Sequence, residues 1–249
     1  MLRFTSDVTL TNQDPTTRSD DCLISTPSDL ENFRNRVNNG ETTINGKLTA
    51  DIDLSQVCGE NVNGGTSWTP IGSESDPFNG TFDGNGYKIQ SLYINTPNTD
   101  QGLFAYVGET GEVKNLGLVG GSVKGGDYNI GGIVGTNRGV VENCYNTGTV
   151  SGTYMSVGGV AGSNYGSVTG CYNTGDVSGS NCIGGVIGFN QRGTVKNCYN
   201  AGDIIGTADC VAGIAGYSDY STMLNYCNIG NISRGGGKRE YRRCDRRRR

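Results

Sequence analysis

The 249-residue sequence contains no histidine, and it has only five prolines and one tryptophan. A Ser-His-Asp triad, a Cys-His dyad and every histidine-ligated metal site are therefore excluded within these residues. The scarcity of proline argues against a disordered low-complexity tract, even though 42 residues are glycine. The glycines are better explained as turns of a folded chain.

Long hydrophobic runs are also absent, and no stretch of the sequence is apolar enough to span a membrane. Residues 1–21 form a polar leader without the basic and apolar segments of a signal peptide. We expect this leader to be poorly ordered. Such a beginning favours a segment of a longer protein over a mature chain whose export signal has been removed.

Charge is unevenly distributed. Residues 234–249 contain nine basic and two acidic residues, net +7, so the remainder carries −11 of the total of −4. An acidic body argues against nucleic-acid binding. Because the basic tail lacks apolar periodicity, we expect it to be disordered; the alternative is a tether to an anionic surface or nucleic acid.

A repeat occupies much of the second half of the chain. Cys144, Cys171 and Cys198 are spaced by 27 residues, and each is followed by Tyr-Asn. Glycine pairs ahead of each copy keep nearly the same spacing, and one-residue insertions fall in polar turns. A fixed period of this length is typical of a solenoid.

The residue types within each repeat predict strands, because Val, Ile, Tyr and Thr occur in short bursts separated by Gly and Asn. A unit of about 27 residues with three short strands and three turns fits one rung of a single-stranded parallel β-helix, an all-β solenoid with rungs about 4.8 Å apart. We therefore predict N-terminal rungs over 47–120 and repeat rungs over 121–233.

One column of the repeat predicts a left-handed bend between two strands, because its residues tolerate positive φ. The column consists of Asn115, Asn143, Gly170, Asn197 and Asn225. After such a bend, residues three apart can both point into the core. The interior ladder predicted in this way consists of Val141, Cys144, Val168, Cys171, Val195 and Cys198.

Residues 22–46 carry the signals of a short helix. Thr26 is a capping residue, Pro27 suits the first helical position and Asp29 completes a capping box. The apolar residues that share one helix face are Leu30, Phe33 and Val37. We expect this N-terminal helix to cap the solenoid by covering the open end of its core.

The nine cysteines have two interpretations, since adjacent rungs permit disulfides and a free cysteine packs as a small hydrophobe. Valine-like neighbours favour core packing for the column of Cys144, Cys171 and Cys198. Cys182 and Cys210 share a column with polar residues, so a cross-rung disulfide is considered for this pair. The odd total leaves at least one thiol unpaired or partnered elsewhere.

Residues 83–86, Asp-Gly-Asn-Gly, are a turn signal. A calcium loop is the alternative, but the acidic residues here are too few. We therefore predict no metal site and no cofactor.

Several motifs resemble those of one known family. They are Trp68-Thr-Pro-Ile-Gly72, Phe78-Asn-Gly-Thr-Phe-Asp-Gly-Asn-Gly86, Gly102-Leu-Phe104, Val113-Lys-Asn-Leu116 and the repeated Gly-Gly-x-x-Gly with Asn-Cys-Tyr-Asn-Thr-Gly. The chain resembles the GLUG-motif repeat proteins of bacterial surfaces, whose repeats also precede the catalytic region of bacterial immunoglobulin-A-cleaving metalloproteases. The resemblance covers about residues 22–233. It implies a secreted or cell-surface location and says little about activity.

The first class of function is a non-catalytic extracellular module for adhesion, or a rigid spacer of a bacterial surface protein. Tyr145, Tyr172 and Tyr199 follow inward-facing cysteines, so we expect an outward-facing aromatic ladder. Such a ladder could receive sugar rings of a host glycan or glycoprotein, or its rings could simply stack and shield the sheet. The alternative is the non-catalytic N-terminal region of a larger secreted metalloprotease, with neighbouring domains as partners.

The second class is a polysaccharide lyase or hydrolase, which needs two carboxylates facing one groove. Asp176 and Asp203 occupy one column on adjacent rungs. Both lie beside a repeat turn, where Asp commonly serves as a turn residue. We therefore predict that this chain is not an enzyme.

Overall fold

The structure, a computed structural model, describes residues 21–234 together with the backbone of the short strands Lys238–Arg239 and Cys244–Asp245. The leader predicted over 1–21 therefore lies outside the described residues except for Asp21. Most of the basic tail predicted over 234–249 also lies outside them.

The predicted parallel β-solenoid is confirmed. Within the described residues the strands form five sheets that run along the solenoid, and strands from successive rungs pair in parallel. A full repeat rung contributes one strand to each sheet, so it contains five strands and not the three that the sequence predicts. The extra strands arise because two-residue breaks, such as residues 153–154 and 159–160, divide what the sequence presents as one extended segment.

The first two sheets follow each other along the rung. Sheet 1 contains the strands Asp21–Ile24, Asn45–Leu48, Thr81–Asp83, Glu112–Lys114, Val140–Glu142, Ser167–Thr169, Thr194–Lys196 and Thr222–Leu224. Sheet 2 contains the strands Ile52–Asp53, Lys88–Gln90, Gly117–Val119, Tyr145–Asn146, Tyr172–Asn173, Tyr199–Asn200, Tyr226–Asn228 and Cys244–Asp245.

Three further sheets complete the rung. Sheet 3 contains the strands Tyr93–Asn95, Ser122–Gly125, Thr149–Gly152, Val177–Gly179, Ile204–Gly206, Ile232–Arg234 and Lys238–Arg239. Sheet 4 contains the strands Tyr128–Gly131, Met155–Gly158, Asn181–Gly184 and Val211–Ala212. Sheet 5 contains the strands Phe104–Val107, Val134–Asn137, Ala161–Asn164, Ile187–Gln191 and Ala215–Asp219.

The bend between sheets 1 and 2 has the left-handed conformation that its residue types indicate. The φ values in this column are 52° for Asn115, 52° for Asn143, 65° for Gly170, 53° for Asn197 and 52° for Asn225. The bend turns both neighbouring strands toward the axis. The side chains of the interior ladder are consequently all buried: Val141, Cys144, Val168, Cys171, Val195 and Cys198.

Two rows of buried asparagines run through the repeat region. In one row Asn146, Asn173, Asn200 and Asn228 occupy equivalent positions of sheet 2, and the amide nitrogens of the first three each donate to the Oδ1 of the next at 2.8–2.9 Å. The same amides also donate to the carbonyl oxygen two residues along their own turn. Since both amide hydrogens and the acceptor are used, the polar groups are stable inside the core.

A helix covers the N-terminal end of the core. It spans Pro27–Asn38, with Thr26 as the capping residue. The backbone nitrogen of Asp29 donates to the Thr26 hydroxyl at 3.1 Å, and the Thr26 nitrogen donates to the Asp29 carboxylate at 2.9 Å. Phe33 packs against Phe82 of the rung after the next, with ring centroids 5.4 Å apart. The helix therefore seals the first rung, as its apolar face indicates.

Candidate functional site

Three tyrosines form a stack on sheet 2. Tyr145, Tyr172 and Tyr199 pair in register, and their ring centroids are 4.9 and 4.8 Å apart with planes inclined by 4°. Burial, followed by the neighbouring phenols, raises the pKa of Tyr172. We call these residues the tyrosine ladder.

The stacking limits how the tyrosine ladder can bind a ligand. The rings cover one another's faces, and the face of Tyr145 lies over Gly117, where a Cβ atom would approach the ring to 2.3 Å. Tyr199, at the other end, is 41% exposed. The next rung places Cys227 in register with Tyr199, and the aromatic faces inside the stack are closed to a sugar ring. Along its length the ladder presents ring edges.

The two candidate catalytic carboxylates, those of Asp176 and Asp203, each accept a hydrogen bond from a backbone nitrogen of the following rung. Oδ1 of Asp176 accepts a hydrogen bond from the backbone nitrogen of Asp203 at 3.0 Å. Oδ1 of Asp203 accepts one from the backbone nitrogen of Asn231 at 2.9 Å. Each aspartate therefore fixes the turn of the following rung, which is a structural role.

Cys182 and Cys210 lie on adjacent rungs at a left-handed bend, with φ values of 51° and 59°. The structure has both as free thiols, although their side chains are in hydrogen-bond contact. Burial, followed by the neighbouring Cys210, raises the pKa of Cys182 to about 11. The disulfide between them is not formed in the structure and stays a prediction.

One cysteine forms a disulfide bond that the sequence does not indicate. Cys227 is disulfide-bonded, and its backbone lies opposite Cys244 in an antiparallel pairing. The repeat gives no signal for this bond, because Cys227 is displaced by one residue from the column of buried cysteines.

A second aromatic feature, missed in the sequence, runs beside sheet 5. The Arg138 guanidinium lies 5.7 Å from the Tyr106 ring and 5.5 Å from the Tyr165 ring. Nε of Arg138 donates to the Tyr106 hydroxyl at 2.5 Å. Tyr165 is followed by Phe189 at 6.4 Å and then by Tyr217 at 4.9 Å. We call these five residues the aromatic stripe.

Comparison with known proteins identifies the repeat. The GLUG motif matches residues 126–151, 153–178 and 179–205. These three segments are consecutive rungs of the solenoid, so the motif corresponds to one complete rung. The resemblance seen in the sequence is confirmed over this region.

Two relatives are similar to about half of the chain. A "Putative Gly-rich membrane protein" of Evansella cellulosilytica is 38% identical over 130 residues, which are 51% of this chain and 14% of that protein. A protein named "Halomucin" from Haloquadratum walsbyi is 35% identical over 118 residues, 45% of this chain and 1% of that protein. The chain thus spans a small part of the length of these relatives.

One solved structure has the same fold. It is a "putative immunoglobulin A1 protease from Bacteroides ovatus", which is 18% identical and has a TM-score of 0.57 over 88% of this chain and 78% of that chain. This degree of identity supports the fold alone. Among the described residues of the present chain, no helix has the length and apolar character to cross a membrane.

Proposed function

We propose that this chain, a parallel β-solenoid with three GLUG-motif repeats, is a non-catalytic module of a cell-surface or extracellular protein. In this proposal it acts in adhesion or as a rigid spacer that presents lateral surfaces to a partner. The main supporting observation is the unbroken in-register pairing of eight strands in sheet 1. The names of the two relatives support a surface-associated setting.

The pairing favours a stiff rod for a physical reason. Neighbouring rungs are joined through parallel strands, a continuous apolar core and the buried asparagine rows. Bending the rod would break several of these contacts at once. Equivalent residues recur on the surface at about 4.8 Å intervals, so a partner can meet the same side chain several times.

The adhesion proposal is tested at the tyrosine ladder. Immobilised mucin serves as a glycoprotein probe, and retention of the parent chain is compared with that of Tyr172→Ala. We expect weaker retention and an intact fold, because the variant removes the central of the three ring edges that the ladder presents to a partner. Tyr220→Ala is the matched control, since Tyr220 is 85% exposed and lies outside the ladder.

The outcomes distinguish a role in adhesion from a role as a rigid spacer. Equal retention of the parent and Tyr172→Ala would remove the ladder from the binding surface. Failure of the parent to bind mucin would count against adhesion to this glycoprotein and leave the spacer role. A scattering profile without a rigid rod-like body would contradict the spacer role.

The alternative setting, upstream of a secreted metalloprotease, is tested on the native protein. An intact mass and tryptic map from the source cells would show whether peptides continue into a His-Glu-x-x-His segment. Such peptides would establish the protease setting.

The enzymatic alternative is tested with the double variant Asp176→Asn, Asp203→Asn. If the chain degrades a polysaccharide through these carboxylates, the variant loses that activity. Undiminished turnover would exclude both residues.

A further inference from the structure

We propose that a groove at the N-terminal end of the aromatic stripe binds a neutral oligosaccharide of hexose units. The groove has a volume of 610 Å³ and lies beside Tyr106 and Arg138. Its remaining walls come from segments that are distant in sequence and include Glu74, Asn79, Glu109 and Thr110. The volume falls in the range of small-molecule sites, about 300–1,000 Å³.

One wall of the groove is fixed in place. The backbone nitrogen of Asn79 donates to the carbonyl oxygen of Thr42 at 2.7 Å, and the Thr110 hydroxyl donates to the carbonyl oxygen of Asn79 at 3.1 Å. A Cβ atom on Gly108 would lie 2.1 Å from the Asn79 Oδ1. Glycine therefore allows the amide to lie directly against the neighbouring turn, and this wall is preorganised for a ligand.

The Arg138 side chain is also held in place, but its guanidinium still has hydrogen-bond donors that can bind a ligand. Its guanidinium lies between the rings of Tyr106 and Tyr165 and is tied to the first by its Nε. Within residues 21–234, its two terminal nitrogens make no hydrogen bond, and the carboxylates of Glu74 and Glu109 form neither hydrogen bonds nor ion pairs. The groove thus combines a guanidinium that is held in place with two exposed carboxylates.

The combination of charges selects the ligand class. Phosphate, sulfate or an acidic peptide would pair with Arg138 but would be repelled by Glu74 and Glu109. A basic peptide would pair with Glu74 and Glu109 but would be repelled by Arg138. Neutral hydroxyl groups donate to carboxylates and accept from a guanidinium at the same time, and hydrogen bonds to charged groups are the stronger ones. A hexose offers such hydroxyls in adjacent pairs together with an apolar C–H face, which the 39% exposed Tyr165 beside Arg138 can contact, whereas Tyr106 is buried.

The aromatic stripe gives the oligosaccharide a path beyond the groove. Tyr165 and Tyr217 are 39% and 38% exposed and lie on later rungs of the same side. The planes of Tyr165 and Phe189 are inclined by 57°, so these two rings do not cover each other, whereas Phe189 and Tyr217 are stacked with planes inclined by 5°. This site lies beside sheet 5, away from the ladder on sheet 2, and the inference does not depend on the ladder.

The test is affinity electrophoresis of the folded chain in gels that contain dextran, yeast mannan, laminarin or xylan, one polymer per gel. We expect at least one of these neutral polymers to retard the parent. Arg138→Gln and Glu109→Gln should each weaken that binding about tenfold or more, since each leaves hydroxyl groups of the glycan without a charged partner. Both side chains are exposed, and thermal unfolding verifies that the variants fold.

Matched controls are Lys124→Gln and Glu60→Gln, which make the same charge changes at exposed positions outside the groove. Their retardation should equal that of the parent. The proposal is overturned if no polymer retards the parent, or if the groove variants bind as the parent does. Loss of binding in Tyr172→Ala alone would also overturn it, because the glycan would then lie on the tyrosine ladder.

Discussion

The side-chain amide of Asn146 donates a hydrogen bond to the Oδ1 of Asn173 at 2.9 Å, and both side chains are buried. Asn173 in turn donates to Asn200 at 2.8 Å. A polar row inside an apolar core stabilises the fold only while every member has its partners.

Asn173→Ala should therefore destabilise the chain strongly. Removing the amide leaves Asn146 and Asn200 each without one partner, and a buried unsatisfied group costs about 1–3 kcal/mol. We expect the free energy of unfolding in urea to fall by about 3 kcal/mol. Thr174→Ala, at the exposed neighbouring position, is the control. A loss no larger than that of the control would mean that the row does not stabilise the fold.

The left-handed bend gives a prediction at an exposed position. Asn143 has a φ of 52°, and the equivalent position in the next rung is Gly170. Asn143→Gly should change stability by less than about 0.5 kcal/mol, whereas Asn143→Val should cost about 1–2 kcal/mol because a β-branched residue resists this conformation. Thermal unfolding of both variants tests the difference. Equal stability of the two variants would contradict the argument.

The helix cap gives a prediction on acid stability. Hydrogen bonds from the Ser25 backbone, then from the Thr26 side chain, hold the pKa of Asp29 below its ordinary value of 3.8. Because the folded pKa is lowered, this contribution is present above pH 3.8 and is lost as the pH falls through the folded value. The contribution is about 0.5 kcal/mol or less, since the carboxylate is exposed.

The measurement is the difference in unfolding free energy between the parent and Asp29→Asn as a function of pH. The two proteins should differ near neutral pH and converge in acid. Glu60→Gln, which removes an exposed carboxylate elsewhere, should show no such convergence. A difference that is independent of pH would mean that the Asp29 charge does not stabilise the cap.

The contact between Cys182 and Cys210 predicts a disulfide under oxidising conditions. The Cys210 thiolate attacks oxidised glutathione and releases one glutathione; the Cys182 thiolate then attacks the mixed disulfide and releases the second. The pKa of Cys182 is about 11, so closure should accelerate as the pH rises toward that value.

Mass spectrometry should find the oxidised chain lighter by two hydrogens, with a peptide that links the two cysteines. Cys210→Ser should abolish the link. A glutathione adduct that persists on Cys210 at every pH would show that the sulfurs cannot reach bonding geometry.

Sequence periodicity predicts the parts of the fold that recur with it. The spacing of Cys144, Cys171 and Cys198 gives the rung length, and the Asn or Gly column gives the bend. Other bends cannot be predicted from the sequence because their residue types vary. One such column has positive φ throughout but no common residue type; it consists of Asp100, Asn129, Ser156, Cys182 and Cys210. The asparagine row recurs in the sequence, but residue type alone favours placing an amide at the surface.

The groove could not be predicted from the repeat. Glu74, Glu109 and Arg138 come from three rungs with different sequences, and they meet only because the chain returns to the same side of the solenoid after each turn. No spacing rule connects them. The tyrosine ladder could be located because it repeats, but its ring orientation depends on the neighbouring rungs.

The hydrogen bonds of the asparagine rows all point the same way. In the row that begins at Asn146 and in the row that begins at Asn137, each amide donates toward the C-terminal rung. The solenoid is consequently polar along its axis, with acceptors facing one end and donors the other. The acceptor end of each row is closed inside the solenoid, because Asn146 pairs with the buried Leu118 and Asn137 with the buried Val107 of the preceding rung. Only the donor end can therefore be extended, and a further rung at the C-terminal side would continue the rows by supplying an acceptor at these two positions.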